Sequence, residues 1–252
     1  MRPWARVSEY LSVALGKYAY GMALAALAAA TVSGVVSLSD AVGQMVRTPS
    51  ATPRPALEAG LMFSHFAFGI VSMSMAGILA GELASEALFH LSLPMRREEY
   101  AFTWLLTAVW VPVTLEIVSP AVPMAILDPR IVTGIAVGPV VLRAVEDCLV
   151  FSTILWCALL KRKGLVTAYG LAAILFLPII VGIALAATGV LWGSPPPAIL
   201  RAITYVLPAT TGMIGGGIIQ ADLGAALLVC GSLAVTSQLG LVLWFRERLE
   251  VT

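Results

Sequence analysis

The sequence predicts an all-α, polytopic membrane protein with six transmembrane helices. Of its 252 residues, 60% are hydrophobic and only 12% are charged, whereas soluble domains carry about 25% charged residues. The mean hydropathy is +0.95, and several apolar stretches reach the roughly 20 residues that a helix needs to cross a bilayer core. Lipid is therefore the expected surrounding of most of the chain, and a net charge of only +1 gives no reason to expect a nucleic-acid partner.

The N-terminal segment, residues 1–17, is predicted to be an amphipathic helix lying in the membrane interface. Trp4, Val7 and Leu11 fall on one face of such a helix, and Arg2 falls off it. Trp flanked by Arg is typical of interfacial helices. The segment lacks the short apolar region and small-residue cleavage site of a secretory signal, so it is expected to remain on the chain.

The predicted spans are separated by polar or proline-rich stretches. They run over residues 18–38, 59–80, 101–118, 140–160, 165–191 and 223–245. Because proline disrupts helix interiors, Pro120 and Pro123 are expected to end the third span, and Gly138-Pro139 to precede the fourth. Residues 192–222 contain three consecutive prolines and three consecutive glycines, which predicts short or re-entrant helices before the last span.

The basic residues predict the orientation of these spans. With the N-terminus in the cytoplasm, six crossings return the C-terminus there, and ten Lys and Arg residues lie inside against four outside, with Arg143 left in the membrane. The inner set is Arg2, Arg6, Lys17, Arg96, Arg97, Lys161, Arg162, Lys163, Arg246 and Arg248; the outer set is Arg47, Arg54, Arg130 and Arg201. Cytoplasmic loops carry such an excess, so both termini are predicted to be cytoplasmic.

Motifs for common chemistries are missing from the sequence. No G-x-x-x-x-G-K-[ST] pattern occurs, so the chain has no P-loop with which to hydrolyse ATP. His65 and His90 are its two histidines, and a metal site needs three or four converging ligands. Cys148, Cys157 and Cys230 lie inside apolar runs, where cysteine acts as a small hydrophobic residue. The sequence therefore predicts neither a catalytic residue nor a metal site.

Four charged residues are predicted to lie inside the membrane. Arg143, Glu146 and Asp147 share one face of the fourth span, and Glu116 in the third span reaches a similar depth. Isolated charges are costly there, so Glu116 or Glu146 is expected within ion-pair distance of Arg143. Two interpretations stay open: the group lines a polar path or gate, or it is an ion-paired clasp between the two spans.

The stretch between the second and third spans, residues 81–100, carries both charge signs. It also has an apolar face for docking, formed by Leu83, Ala87, Leu88 and Leu91. Its acidic part is Glu82 and Glu86, followed by Leu91-Ser92-Leu93-Pro94 and the basic cluster Arg96-Arg97-Glu98. This order resembles the cytoplasmic loop of type-2 ABC exporter permeases, in which an acidic segment precedes an L-L-S-L-P-like run and an R-R-E-like cluster. It departs from the E-[KR]-E-x-G-T pattern common there, because residues 82–86 read E-L-A-S-E.

The resemblance extends loosely over the whole chain and implies a single transmembrane permease domain, residues 1–252, in the plasma membrane of a prokaryote. It implies a second permease subunit, identical or related, and a separate ABC ATPase subunit that holds ATP and Mg²⁺, so that this chain itself carries no cofactor. The ATPase would dock on the loop; the coupling residues implied are Glu82, Glu86, Leu88, Leu91, Pro94, Arg96 and Arg97.

The substrate is not readable from the sequence beyond a broad class. The second span carries Ser72, Ser74 and several methionines among apolar residues, which favours an amphipathic or hydrophobic substrate. A rival interpretation is an intramembrane enzyme that uses His65 or the intramembrane charges, or a structural subunit of a membrane complex. Association with an ATPase discriminates between these interpretations and the permease.

Overall fold

A computed structural model describes residues 18–36, 54–86, 96–127, 137–177, 198–208 and 223–248, with a few isolated positions besides. Within these ranges the chain is helical apart from short turns and contains no strand. The helices are α1 (Tyr18–Val36), α2 (Arg54–Gly81), α3 (Arg97–Leu127), α4 (Val137–Ala158), α5 (Lys163–Val181), α6 (Ala198–Val206) and α7 (Leu223–Arg248). The prediction of an all-α protein is confirmed, and the predicted interfacial helix lies outside the described residues.

Five of these helices are long and apolar enough to cross a membrane, namely α1, α2, α3, α5 and α7. Several such helices in one chain indicate a multi-pass membrane protein. The 22 residues of α4 also reach that length, but α4 carries the three charged residues of the fourth predicted span. The 9 residues of α6 are too few to cross, and they lie in the region where short helices were predicted.

Among the five apolar helices, α2 and α3 are the most buried. About half of the most apolar stretch of each is buried, 44% for α2 and 50% for α3, against 17% for α1 and 22% for α7. Large side chains such as Leu27 and Leu228 accordingly point outward from α1 and α7. The peripheral helices therefore present apolar surface to lipid, while α2 and α3 pack against their neighbours.

The prediction that prolines end the third span is wrong, because α3 continues through Pro120 and Pro123 to Leu127. A proline at position 120 removes the N–H that would bond to the carbonyl of Glu116. In this bundle the Ser64 hydroxyl of α2 donates to that carbonyl instead, at 2.7 Å. Neighbouring serine side chains can satisfy backbone groups freed by proline in membrane helices, which is why the helix persists.

The same arrangement recurs further along the same two helices. Pro112 frees the carbonyl of Ala108, and the Ser72 hydroxyl donates to it at 2.7 Å. A π-helical turn, Leu106–Trp110, accommodates the proline in α3. Because the two serines and their acceptors run in opposite order along the chain, α2 and α3 are antiparallel. Ser72 is buried, so it serves helix packing and does not line an open path.

Contacts of the other helices complete the bundle. On α4, Trp156 Nε1 donates to the carbonyl of Ser237 at 3.0 Å, and the hydroxyls of Ser152 and Ser237 lie 2.9 Å apart, which joins α4 to α7. On α2, a Cβ at Gly69 would come within 2.7 Å of Ile174 of α5. Small residues of this kind let membrane helices approach closely, so α5 lies directly against α2.

Candidate functional site

Four charged or titratable side chains meet in the interior of the bundle: His65 from α2, Glu116 from α3, and Arg143 and Asp147 from α4. We call them the buried charge cluster. None is more than 1% exposed. Arg143 Nε lies 3.4 Å from Glu116 Oε1. The prediction that Glu116 or Glu146 lies within ion-pair distance of Arg143 is therefore confirmed through Glu116. Glu146, the neighbour of Asp147, is also buried.

Two carboxylates, those of Glu116 and Asp147, lie at the centre of the cluster. Each lies close to a nitrogen of His65 on α2 and to a nitrogen of Arg143 on α4. Asp147 Oδ1 lies 2.7 Å from His65 Nδ1, and Asp147 Oδ2 lies 2.9 Å from Arg143 Nε. Glu116 Oε1 lies 3.7 Å from His65 Nδ1 as well as near Arg143. Charges inside a bilayer are expensive unless they are paired. Because Arg143 and Asp147 meet Glu116 and His65 from the neighbouring helices, α4 can bury both charges in the bundle.

Local features of the sequence bring these four side chains together. Arg143 and Asp147 are four residues apart, which places both on one face of α4. The bond from Ser64 to the Glu116 carbonyl fixes α2 against α3 beside His65. The imidazole of His65 also stacks on the ring of Phe151, with centroids 6.1 Å apart and an angle of 14° between the planes.

Several atoms of the cluster are close to one another without being aligned for hydrogen bonds. Within the described part of the chain, both ring nitrogens of His65, Glu116 Oε2 and both carboxylate oxygens of Asp147 are buried and have no aligned partner. His65 Nδ1 and Asp147 Oδ1 nevertheless lie 2.7 Å apart, within ion-pair distance. Buried polar atoms normally have partners, so an atom such as His65 Nε2 can take a further hydrogen bond or bind an ion.

Three candidate metal ligands come together in the described part of the chain, an arrangement that the sequence did not predict. Candidate donor atoms of His65, Glu116 and Asp147 all lie within 4.8 Å of one another. In the sequence, His65 stands out only as an isolated candidate for an enzyme, with no sign that it meets the charged residues. Counting residues from the basic ends of antiparallel spans would have placed His65, Glu116 and Asp147 at similar depth.

A second polar group ties helices together where α2 ends and α3 begins, which we call the basic end of the bundle. Tyr100 Oη donates to Glu82 Oε2 at 2.9 Å, joining α2 to α3. Arg97 Nη1 donates to the carbonyl of Arg246 at 3.5 Å, and Arg246 Nε lies 3.6 Å from Glu98 Oε1, joining α3 to α7. The ends of three helices are therefore connected through a few side chains.

The helices on both sides of the predicted coupling stretch extend further into it than the sequence predicted. Beyond Gly81, α2 continues as a π-helical turn, Glu82–Glu86, and α3 already begins at Arg97, not at Ala101 as predicted. Leu83 and Tyr100 are buried in the core, so Leu83 is not part of an exposed docking face.

The structure places the predicted coupling residues only in part. Glu82, Arg96 and Arg97 are described, with Arg96 exposed directly before α3. The Glu86 side chain, Leu88, Leu91 and Pro94 lie outside the described residues. The basic end therefore contains the two flanks of the coupling stretch.

No known protein family matches this chain, and no curated protein and no solved structure is significantly similar to it. The resemblance to exporter permeases therefore rests on the loop motif and the arrangement of spans in the sequence.

Proposed function

We propose that this chain is the permease subunit of an ABC transporter, working as an exporter with a separate ATPase subunit. In this proposal α4 is the sixth crossing, and the basic end faces the cytoplasm of a prokaryote together with both termini. A second permease subunit completes the pathway. The sequence supports the proposal through its loop motif, its excess of basic residues on one side and its lack of a P-loop.

A sixth crossing by α4 is physically reasonable despite its charges. Arg143 and Asp147 face His65 of α2 and Glu116 of α3 at ion-pair distances. Charged side chains in membrane helices almost always face the bundle interior and pair there. The charges of α4 are thus compatible with a position inside the bilayer, although composition alone disfavours it.

The observation that carries the proposal is the set of contacts at the basic end. The stretch assigned to ATPase docking is flanked by Glu82 on α2 and by Arg97 and Glu98 on α3, and these residues contact Tyr100 and Arg246. A displacement of this stretch would therefore act on α2, α3 and α7 together. Such a linkage is what a subunit that does not hydrolyse ATP requires in order to receive work from one that does.

Association with an ATPase tests the proposal. The tagged chain is purified in mild detergent from its own host, and the preparation is assayed for ATP hydrolysis and for a subunit with a P-loop. We expect both in the unaltered chain. Leu88→Asp combined with Leu91→Asp should remove both, because charge replaces the apolar residues proposed to pack in a groove of the ATPase.

The matched control is Arg162→Asp, which alters an exposed residue between α4 and α5 at the same end of the bundle. It should leave the ATPase bound. If the ATPase stays with the Leu88 and Leu91 double variant and leaves the Arg162 variant, docking belongs to the α4–α5 connection. If no ATPase accompanies the unaltered chain, the permease proposal fails.

An intramembrane enzyme is the alternative that one observation favours, the approach of His65 Nδ1 to Asp147 Oδ1 at 2.7 Å. A histidine oriented by a carboxylate is a common general base. In this structure both residues are 1% exposed or less, so a substrate would have to open the bundle to reach them. The permease therefore remains the stronger proposal.

A further inference from the structure

The buried charge cluster carries more negative than positive charge. Its two carboxylates, Glu116 and Asp147, face the guanidinium of Arg143 and the imidazole of His65. With His65 neutral and both carboxylates ionised, one negative charge is in excess. An uncompensated charge is very unfavourable in a low-dielectric interior. A proton on His65 or on a carboxylate removes the excess, and so does a bound cation.

The positions of the donor atoms fit a cation. Donor atoms of His65, Glu116 and Asp147 all lie within 4.8 Å of one another. In the described part of the chain, His65 Nε2 is also buried without a hydrogen-bond partner. Each donor comes from a different helix, α2, α3 and α4.

We propose that His65, Glu116 and Asp147 bind one divalent transition-metal ion of the Zn²⁺ class, which clamps α2, α3 and α4 together. One imidazole nitrogen and two carboxylate oxygens form a donor set that suits zinc. In a tetrahedral site with bonds of about 2.0–2.1 Å, neighbouring donors lie about 3.3 Å apart. His65 Nδ1 and Asp147 Oδ1 lie 2.7 Å apart, so they would separate by about 0.6 Å to reach that spacing on binding the ion.

Arg143 supports such a site and does not compete with the ion. It contacts Asp147 through Oδ2, whereas Oδ1 is the oxygen that faces His65. On Glu116 it contacts Oε1, which leaves the buried Oε2 available as a ligand. Ligating carboxylates are commonly held by hydrogen bonds of this kind, which fix their orientation. With three protein ligands, a tetrahedral ion takes its fourth ligand from water.

Metal content of the purified chain tests this site. The chain carries an affinity tag without histidine, is loaded with Zn²⁺, desalted and analysed by mass spectrometry of the elements. We expect one zinc per chain, and an increase in thermal stability that a chelator reverses. His65→Gln should weaken zinc binding by about tenfold or more, since even residues that only support the ligands cost about 10–100-fold when replaced.

His90→Gln is the matched control, because it removes the other histidine of the sequence; it should keep one zinc per chain. The proposal is overturned if the unaltered chain holds no zinc after loading, or if His65→Gln holds as much as the unaltered chain. The cluster is then a network of ion pairs and shared protons.

If His65→Gln fails to fold, the visible absorption spectrum of Co²⁺ added to the unaltered chain tests the site instead. Visible absorption bands of four- or five-coordinate Co²⁺ that Zn²⁺ displaces support the site, and a spectrum of free Co²⁺ contradicts it. The proposal does not depend on the transport function, because zinc content and ATPase association are measured separately.

Discussion

In the described part of the chain, two of the Arg–carboxylate contacts have nearly equal lengths but very different surroundings. Arg143 Nε lies 3.4 Å from Glu116 Oε1 in the bundle interior, and Arg246 Nε lies 3.6 Å from Glu98 Oε1 at the basic end. The side chains of the first pair are at most 2% exposed. Those of Arg246 and Glu98 are 64% and 49% exposed. The comparison separates the effect of distance from the effect of the medium.

The medium is expected to dominate the difference between the two pairs. Two unit charges 4 Å apart attract by about 1 kcal/mol in water and by about 4 kcal/mol at an effective dielectric constant of about 20. Burial also removes hydration from each charge, so the interior pair is costly to form and still more costly to break. The interior cluster should therefore determine whether the helices assemble, while the exposed pair adjusts one end.

The largest expected effect comes from removing the guanidinium of the buried pair. Arg143→Met leaves Glu116 and Asp147 without their cation, and breaking a buried pair costs about 3–5 kcal/mol. We expect the free energy of unfolding to fall by that amount, measured by denaturant titration in mixed micelles with a chelator present. Adding Glu116→Gln to Arg143→Met should recover part of the loss, since one uncompensated charge disappears.

Arg162→Met provides the control for the loss of one arginine, because Arg162 is exposed between α4 and α5. A surface substitution of this kind changes stability by no more than about 0.5 kcal/mol. If Arg143→Met is as mild as Arg162→Met, the interior pair contributes little, and the comparison with the exposed pair loses its basis.

Features of the fold that depend on a single helix could be predicted from the sequence, whereas features that depend on how two helices pack could not. Apolar length and composition predicted the all-α bundle, and the cost of buried charge predicted that Arg143 would meet Glu116. Such predictions succeed because each follows from a single helix or a single energetic requirement. The convergence of His65 on Asp147 depends on how α2 and α4 pack, which periodicity within one helix does not contain.

The prolines of α3 show that the end of a helix also depends on its neighbours and could not be predicted from the sequence of α3 alone. Read along α3 alone, Pro120 marks a helix end. The helix continues because Ser64, on another helix, supplies the missing donor to the Glu116 carbonyl. The extent of a membrane helix thus depends on tertiary contacts, and the error in predicting the end of the third span has a physical cause that can be tested.

An intermediate effect is expected from removing that donor. Ser64→Ala leaves the Glu116 carbonyl without a hydrogen-bond donor inside the bundle, which should cost about 1–2 kcal/mol of unfolding free energy. In a Pro120→Ala background the same substitution should cost less, because residue 120 then offers a backbone N–H to that carbonyl. The four unfolding free energies form a double-mutant cycle.

The control for the serine is Ser74→Ala on the same helix. The Ser74 hydroxyl bonds to the carbonyl of Ile70 within α2 and is exposed, so its loss should change stability by no more than about 0.5 kcal/mol. Equal costs for Ser64→Ala with and without Pro120 would show that the serine does not replace the N–H that proline removes.

The smallest effect is expected at the exposed pair of the basic end. A double-mutant cycle with Glu98→Ala and Arg246→Ala should give a coupling free energy of about 0.2–1 kcal/mol, as exposed ion pairs do. Since the screening length falls from about 10 Å at 0.1 M salt to about 3 Å at 1 M, the coupling should weaken on adding salt. The cost of Arg143→Met should change little over the same range, because mobile ions do not enter the bundle interior.

The bond from Arg97 to the Arg246 carbonyl uses the backbone, so it survives in Arg246→Ala and does not contribute to the cycle. A coupling at the basic end that exceeds this range and persists at 1 M salt would mean that Glu98 and Arg246 are shielded from water in the assembled protein, as a subunit docked on that end would shield them.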